Sequence, residues 1–224
     1  MAEYTYEVDK ECSLCGKSFT VTKMKSRLIK IKQDTDFCTY YKDINPYYYS
    51  IWVCPHCGYA AQDAHFDELS PADREKLTEF LTDRQVNVNF CGERTYEQAA
   101  ATYKLALFYN EMLGTADSRL GGLYLKLAWV NREAGETEPE QAALLKAVAH
   151  YEQALSRERL PAGNMTETTL TYLVGDLFRR TGDADQAVRY LNKIVSSHQA
   201  KLAERNIYNL ARQVWQEIRE SKKL

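Results

Sequence analysis

The sequence predicts an α+β protein, mainly α: a small zinc-ribbon-like β module followed by a tetratricopeptide-like array of helical hairpins. Three observations carry that expectation. Two Cys-x-x-Cys pairs, Cys12/Cys15 and Cys54/Cys57, lie in the first quarter of the 224 residues. Short β-favouring runs surround them, such as Ser18-Phe19-Thr20-Val21-Thr22 and Tyr47-Tyr48-Tyr49-Ser50-Ile51-Trp52-Val53. From Ser70 onward the texture changes to long amphipathic segments rich in Ala, Leu, Glu, Arg and Gln, the strong helix formers. The expected organisation is a module over 1–66, a helical connector over 67–94 and helical hairpins over 95–224.

Each Cys-x-x-Cys pair can supply two thiolates from one tight turn, and two such turns complete the tetrahedron that a structural zinc ion requires. The turns read Cys12-Ser13-Leu14-Cys15-Gly16-Lys17 and Cys54-Pro55-His56-Cys57-Gly58-Tyr59. Glycine follows the second cysteine in both, at a position that commonly takes the left-handed backbone conformation. The expected ligands are therefore Cys12, Cys15, Cys54 and Cys57, binding one zinc, with iron in a rubredoxin-like site as the competitor. Four thiolates close the shell, which argues against hydrolysis at the ion. His56 is expected to face solvent, His65 to stay outside the ligand set, and Cys38 and Cys91 to act as small apolar residues.

Between the turns lie 38 residues, Gly16 to Val53, more than a minimal ribbon needs. Lys17, Lys23, Lys25, Arg27, Lys30 and Lys32 occur there with no acidic residue between Cys12 and Gln33, and the rings Phe37, Tyr40, Tyr41, Tyr47, Tyr48, Tyr49 and Trp52 follow. Lysines beside stacking rings suit a single-strand nucleic-acid binder, with Lys23, Lys25, Arg27, Lys30 and Lys32 on phosphate and Tyr47, Tyr48, Tyr49 and Trp52 on bases. The same composition suits a small β module that must bury large side chains and protect its edges with lysine, and that reading is preferred. Asn45-Pro46 reads as a turn.

In the second half, Ser70-Pro71 marks a helix start, with serine as N-cap and proline in the first helical position. Tyr172-Leu173-Val174-Gly175-Asp176-Leu177-Phe178, then Gly182, Ala187, Leu191 and Ile194, follow the tetratricopeptide alternation of small and large apolar residues. An upstream copy starts at Tyr124 with Leu127, Ala128 and Gly135 and resumes at Ala147, Tyr151 and Ala154. The Glu138-Pro139-Glu140 insertion between its halves is expected to loop out. Ala99, Tyr103 and Ala106 form a partial third copy, and 201–222 is expected to be one capping helix.

Asp36-Phe37-Cys38-Thr39-x-Tyr41, Asn45-Pro46-x-Tyr48-Tyr49 and Val53-Cys54-Pro55-x-Cys57-Gly58-Tyr59-Ala60-Ala61 together resemble the bacterial family of domain of unknown function 2225. The resemblance is specific in residues 10–66, and the helical remainder is similar to that family's C-terminal half. It implies a bacterial cytoplasmic protein with a zinc-ribbon-like region and tetratricopeptide-like helices, and no activity.

Charge and composition bound the function. The 29 basic and 31 acidic residues nearly cancel, so no global field draws the chain to nucleic acid or anionic lipid. The start Met1-Ala2-Glu3-Tyr4 lacks a basic segment followed by an apolar run, and no stretch approaches the roughly 18 apolar residues of a membrane span. A soluble, intracellular chain is expected, in which paired cysteines favour metal over disulfides. No phosphate loop, nucleophile elbow or open-site histidine pair marks an enzyme.

The preferred reading is a non-enzymatic interaction or scaffold protein. Its helical groove would take a peptide or partner protein along Leu125, Trp129 and Arg132 on one stretch and Tyr172, Asp176, Arg179 and Arg180 on the next. The lysine and asparagine set that grips a chaperone's terminal carboxylate is absent from those positions. The alternative is a nucleic-acid-associated factor using the basic and aromatic insert.

Overall fold

The computed structural model describes residues 4–82, 84, 86, 88–162 and 165–221. The start Met1 to Glu3 and the expected helix end at Lys222 lie outside the described residues. The chain is α+β and mainly helical, and it forms two compact units that interleave along the sequence. The first takes residues up to Lys32, Thr39–Thr115 and Trp129–Glu136; the second takes Gln33–Cys38, Ala116–Ala128 and the chain from Thr137 onward.

The first unit is built on short two-stranded ribbons. β1 (Thr5–Glu11) pairs antiparallel with β2 (Ser18–Met24), in register from Thr5 opposite Met24 to Glu11 opposite Ser18. β3 (Lys30–Gln33) pairs with β4 (Thr39–Tyr41), and β5 (Ile51–Val53) pairs antiparallel with β6 (Ala60–Gln62). Isolated two-stranded ribbons are marginal in water, so each must find an apolar floor. Phe66 supplies one: it is fully buried, with ring centroids 5.7 Å from Phe19, 5.7 Å from Trp52 and 5.2 Å from Tyr59.

Two helices complete this unit. α1 (Pro71–Leu81) starts as its sequence predicts, the Ser70 side chain accepting from Asp73 N with proline in the first turn. α2 (Tyr96–Leu113) carries a complete capping box between Thr95 and Gln98 and ends at left-handed Gly114. Its buried Tyr103 donates to the Tyr47 carbonyl at 3.0 Å, and the helix packs against β5 and β6. This packing explains why the unit does not end at residues 66–70: the ribbons alone lack enough apolar partner surface, and a helix from beyond that point provides it.

Residues 46–49 are a 3₁₀ turn and not the start of a strand. The Asn45 side chain accepts from Tyr47 N while Pro46 fixes φ at the first helical position, and these local bonds outweigh the β preference of three tyrosines.

The second unit is helical. α3 (Asp117–Ala134) enters it through residues 117–128, followed by α4 (Thr137–Arg157), α5 (Glu167–Arg180), α6 (Ala184–Val195), α7 (His198–Ala203) and α8 (Arg205–Ser221). Glu138-Pro139-Glu140 is not a loop. It is the first turn of α4, where proline's missing N–H costs nothing and carboxylates face the positive helix end. The terminal segment is two helices because the chain breaks at Glu204, whose carboxylate accepts the Thr166 hydroxyl at 2.6 Å.

α5 and α6 pack as a hairpin around Tyr172, Ala187, Leu191 and Ile194, and α8 adds Ala211, Val214 and Ile218 to the same core. Gly175 sits at the crossing: a Cβ there would lie 2.9 Å from Leu191 Cγ. Gly175→Ala gains about 1 kcal/mol of helix propensity, yet overpacking costs about 1–3 kcal/mol. A net loss of stability is expected in denaturant unfolding. A more stable variant would show that Leu191 yields freely.

Candidate metal centre

Each Cys-x-x-Cys turn is the loop of one hairpin: residues 12–17 join β1 to β2, and 54–59 join β5 to β6. The two loops share one hydrogen-bond plan. Cys12 N donates to Lys17 O at 3.0 Å and Gly16 N to Cys12 O at 2.9 Å; Cys54 N donates to Tyr59 O at 2.9 Å and Gly58 N to Cys54 O at 2.8 Å. Gly16 and Gly58 take φ of 71° and 78°, the left-handed geometry expected of them.

The four Sγ atoms lie within 4.8 Å of one another. Cys12 and Cys57 sulfurs are 3.7 Å apart and those of Cys15 and Cys54 are 3.8 Å apart. A disulfide needs about 2.05 Å. A tetrahedron with metal–sulfur bonds of about 2.3 Å has edges of about 3.8 Å, so the spacing suits one ion between the loops. Cys12 and Cys54 face the interior at 2% and 0% exposure, whereas Cys15 is exposed.

Proton sharing inside the cluster moves the thiols in opposite directions. Hydrogen bonds from Cys12 and then Cys57 push the Cys54 thiol down to about 2. Donation to Cys54 raises Cys12 to about 12, and Cys57 is raised by its bonds to Cys12 and Cys54. A metal would displace those shared protons and take all four sulfurs as thiolates. Ser13 Oγ donates to the Phe66 carbonyl at 2.6 Å, tying the first loop to the ring at the floor of the unit.

The two glycines differ in surroundings. A Cβ on Gly16 would meet only Glu11 Oε1 at 4.0 Å, whereas one on Gly58 would lie 3.2 Å from both Val86 methyl carbons and 3.6 Å from the Tyr109 hydroxyl. Gly16→Ala is expected to cost about 1–2 kcal/mol of left-handed strain, and Gly58→Ala to cost more because contact adds to strain. Chemical denaturation of both variants checks this, and equal losses would refute it.

His56 stays out of the cluster, its Nε2 lying 3.0 Å from Ser18 O, and His65 Nδ1 lies 2.6 Å from Glu68 Oε2. Cys38 is fully buried; Cys91 is half-buried, its sulfur 3.7 Å from Thr22 Oγ1.

The model of a family described as an uncharacterized protein conserved in bacteria (DUF2225) matches residues 5–218. The chain belongs to the DUF2225 family. A curated protein of Borreliella burgdorferi, itself described only as uncharacterized, is 28% identical over 155 residues, covering 58% of this chain and 54% of that protein. The DUF2225 chain thus spans about half the length of the curated relative it matches. No solved structure matches it.

In the DUF2225 chain, the rings assigned to a nucleic-acid face are largely spent inside the first unit. Tyr49 and Trp52 are 6% and 7% exposed, and Tyr47 packs on Trp129 with centroids 5.0 Å apart. Lys23 Nζ lies 5.2 Å from the Trp52 ring centroid and Lys32 Nζ 4.0 Å from that of Tyr40. Lys25, Arg27 and Lys30 are exposed, and Tyr48 is half-buried.

The residues assigned to a partner groove are not an open surface. Leu125 and Trp129 are buried at 4% and 7%, and Arg132 is half-buried. Within the second unit, residues 33–38 already occupy the stretch on α5. The Tyr172 hydroxyl donates to Thr35 O at 2.8 Å, and Thr35 Oγ1 donates to Asp176 Oδ2 at 2.8 Å. Arg179 Nη2 and Arg180 Nη2 donate to that same hydroxyl at 3.1 and 3.0 Å. Asp176, fully buried, also receives Arg179 Nη2 at 2.7 Å and Arg180 Nε at 3.1 Å. Buried Asp36 lies 3.5 Å from Arg180. Helical spacing brings Tyr172, Asp176, Arg179 and Arg180 onto one face, but nothing in that spacing reveals that the chain's own Thr35 and Asp36 fill it.

Proposed function

We propose that the four cysteines hold one structural zinc ion and that the chain is a non-enzymatic interaction protein whose helices grip a peptide-like segment of a partner. Zinc supplies no catalysis in this reading. With four thiolates the shell is closed to substrate, and the ion fixes the two hairpin loops. Iron is the alternative metal, distinguished by its colour and redox response.

The observation that carries the interaction reading is the way the α5 face holds residues 33–38, an internal segment that a partner's peptide of like chemistry would displace. A main-chain carbonyl, a hydroxyl and a buried carboxylate are all met by Tyr172, Asp176, Arg179 and Arg180. These groups recognise a short acidic and hydroxylated segment, the chemistry by which helical arrays commonly select peptides. A tetratricopeptide-like reading of the helices is supported by the Gly175–Leu191 crossing. Against nucleic acid stands the burial of Tyr49 and Trp52, since a base cannot stack on a ring already packed in a core. No described helix is long and apolar enough to cross a membrane.

The test is affinity capture of the zinc-loaded chain from its native host with in-cell crosslinking, compared with an Arg179→Ala/Arg180→Ala double variant. A protein crosslinked reproducibly to the wild type supports the reading, and loss of that crosslink in the variant assigns it to the α5 face. Absence of any protein partner, together with binding of single-stranded RNA that weakens steeply with salt, would favour the nucleic-acid alternative.

A further inference from the structure

Arg94 is 6% exposed, yet no carboxylate among the described residues lies within ion-pair distance of it. Its Nε donates to Phe90 O at 2.9 Å, and Nη1 to Tyr48 O and Ile51 O, both at 2.8 Å. These carbonyls are neutral, the guanidinium carbon lies 5.8 Å from the Tyr49 ring centroid, and Nη2 has no protein acceptor among the described residues. Burial pulls the guanidinium down to about 10, the direction expected of a charge withdrawn from water without a counter-ion. Buried arginines are ordinarily paired, because an uncompensated charge is costly in a low-dielectric interior.

Arg94 lines a cavity of about 330 Å³ in the first unit, shared with Tyr4, Asp43, Asn45, Tyr48 and Glu93. That volume lies at the small end of ligand pockets, which run about 300–1,000 Å³. The wall therefore combines one buried cation lacking a counter-ion, aromatic and amide surface, and two acidic groups. Asp43 accepts the Tyr4 hydroxyl at 3.0 Å, and Glu93 is exposed. Two carboxylates disfavour a multiply charged anion such as phosphate. They favour a ligand that brings a positive group along with its negative one.

We propose that this cavity binds a small zwitterion of the amino-acid class, its carboxylate on the Arg94 guanidinium and its ammonium toward Glu93 and Asp43. The planar guanidinium offers a fork that suits a carboxylate, and desolvation strengthens the pair. Specificity arises from requiring both charges within one short molecule.

Isothermal titration of the zinc-loaded full chain against the individual L-amino acids tests this. Propionate, ethylamine and inorganic phosphate serve as controls lacking one of the two charges. Saturable binding of at least one amino acid is expected, with each control weaker by about tenfold or more, the size of one lost charge contact. Arg94→Lys is expected to lose most of the binding. Because that change also disturbs the Tyr48 and Ile51 carbonyls, the exposed Glu93→Gln provides the second arm, expected to weaken the amino acid severalfold while leaving propionate unchanged. The proposal is overturned if no amino acid gives saturable heat at about 10 mM. Phosphate or propionate binding as tightly as the best amino acid, or Glu93→Gln leaving amino-acid affinity unaltered, would overturn it equally.

Discussion

Replacing Cys54 with serine is expected to empty the metal site and unfold the β part of the first unit. Cys54 is fully buried within the four-sulfur cluster, so its replacement removes one of the four candidate ligands and leaves a hydroxyl in a buried place. Structural zinc contributes about 10–16 kcal/mol in finger-like peptides, which matches or exceeds the about 5–15 kcal/mol total stability of most domains. β1–β2 and β5–β6 are two-stranded ribbons whose joining loops both carry the clustered cysteines, and such ribbons are marginal by themselves. The variant should retain less than about half an equivalent of metal, and the amides of β1 and β2 should lose protection in hydrogen exchange. Cys38→Ala, outside the cluster, should keep a full equivalent. Intact protection in a metal-free Cys54→Ser protein would show that the Phe66 core alone sustains the ribbons.

The second large effect concerns Asp176. Changing it to alanine leaves Arg179 and Arg180 side by side without their shared buried acceptor and removes the acceptor of Thr35 Oγ1. Breaking a buried ion pair from one side typically costs about 3–5 kcal/mol, because the remaining charge stays desolvated. The Arg179 and Arg180 side chains are 30% and 18% exposed, so partial hydration moves the expectation to the lower end, about 3 kcal/mol. Denaturant unfolding measures the loss, and a double-mutant cycle with Thr35→Val should return coupling above about 0.5 kcal/mol. A cost below about 1 kcal/mol would show that residues 33–38 do not depend on that carboxylate.

The legible parts of the sequence were those governed by short-range rules. Cys12, Cys15, Cys54 and Cys57 could be grouped because a Cys-x-x-Cys-Gly turn folds by its own hydrogen bonds, whatever surrounds it. The Ser70 cap, Gly175 and the apolar period of α5 and α6 were legible for the same reason. The structure departs from the sequence pattern where local signals compete. Three tyrosines argued for a strand at 47–49, but Asn45 and Pro46 imposed a 3₁₀ turn. Glu138-Pro139-Glu140 resembles a loop, although the same residues make a good first helical turn. Arg94 gave no signal at all, since Cys91-Gly92-Glu93-Arg94-Thr95 has no motif spacing and an arginine's burial depends on what packs over it.

The sequence by itself determined the mainly helical α+β class, the four-sulfur cluster and the membership in the DUF2225 family. These rest on turn chemistry and periodicity, which act over a few residues. Only the tertiary structure decided that residues 33–38 lie on α5, that α2 completes the unit holding the cysteines, and that Arg94 is buried without a counter-charge among the described residues. Those are pairings across tens to more than a hundred residues, and they are chosen by burial and charge compensation in three dimensions, which no local pattern encodes.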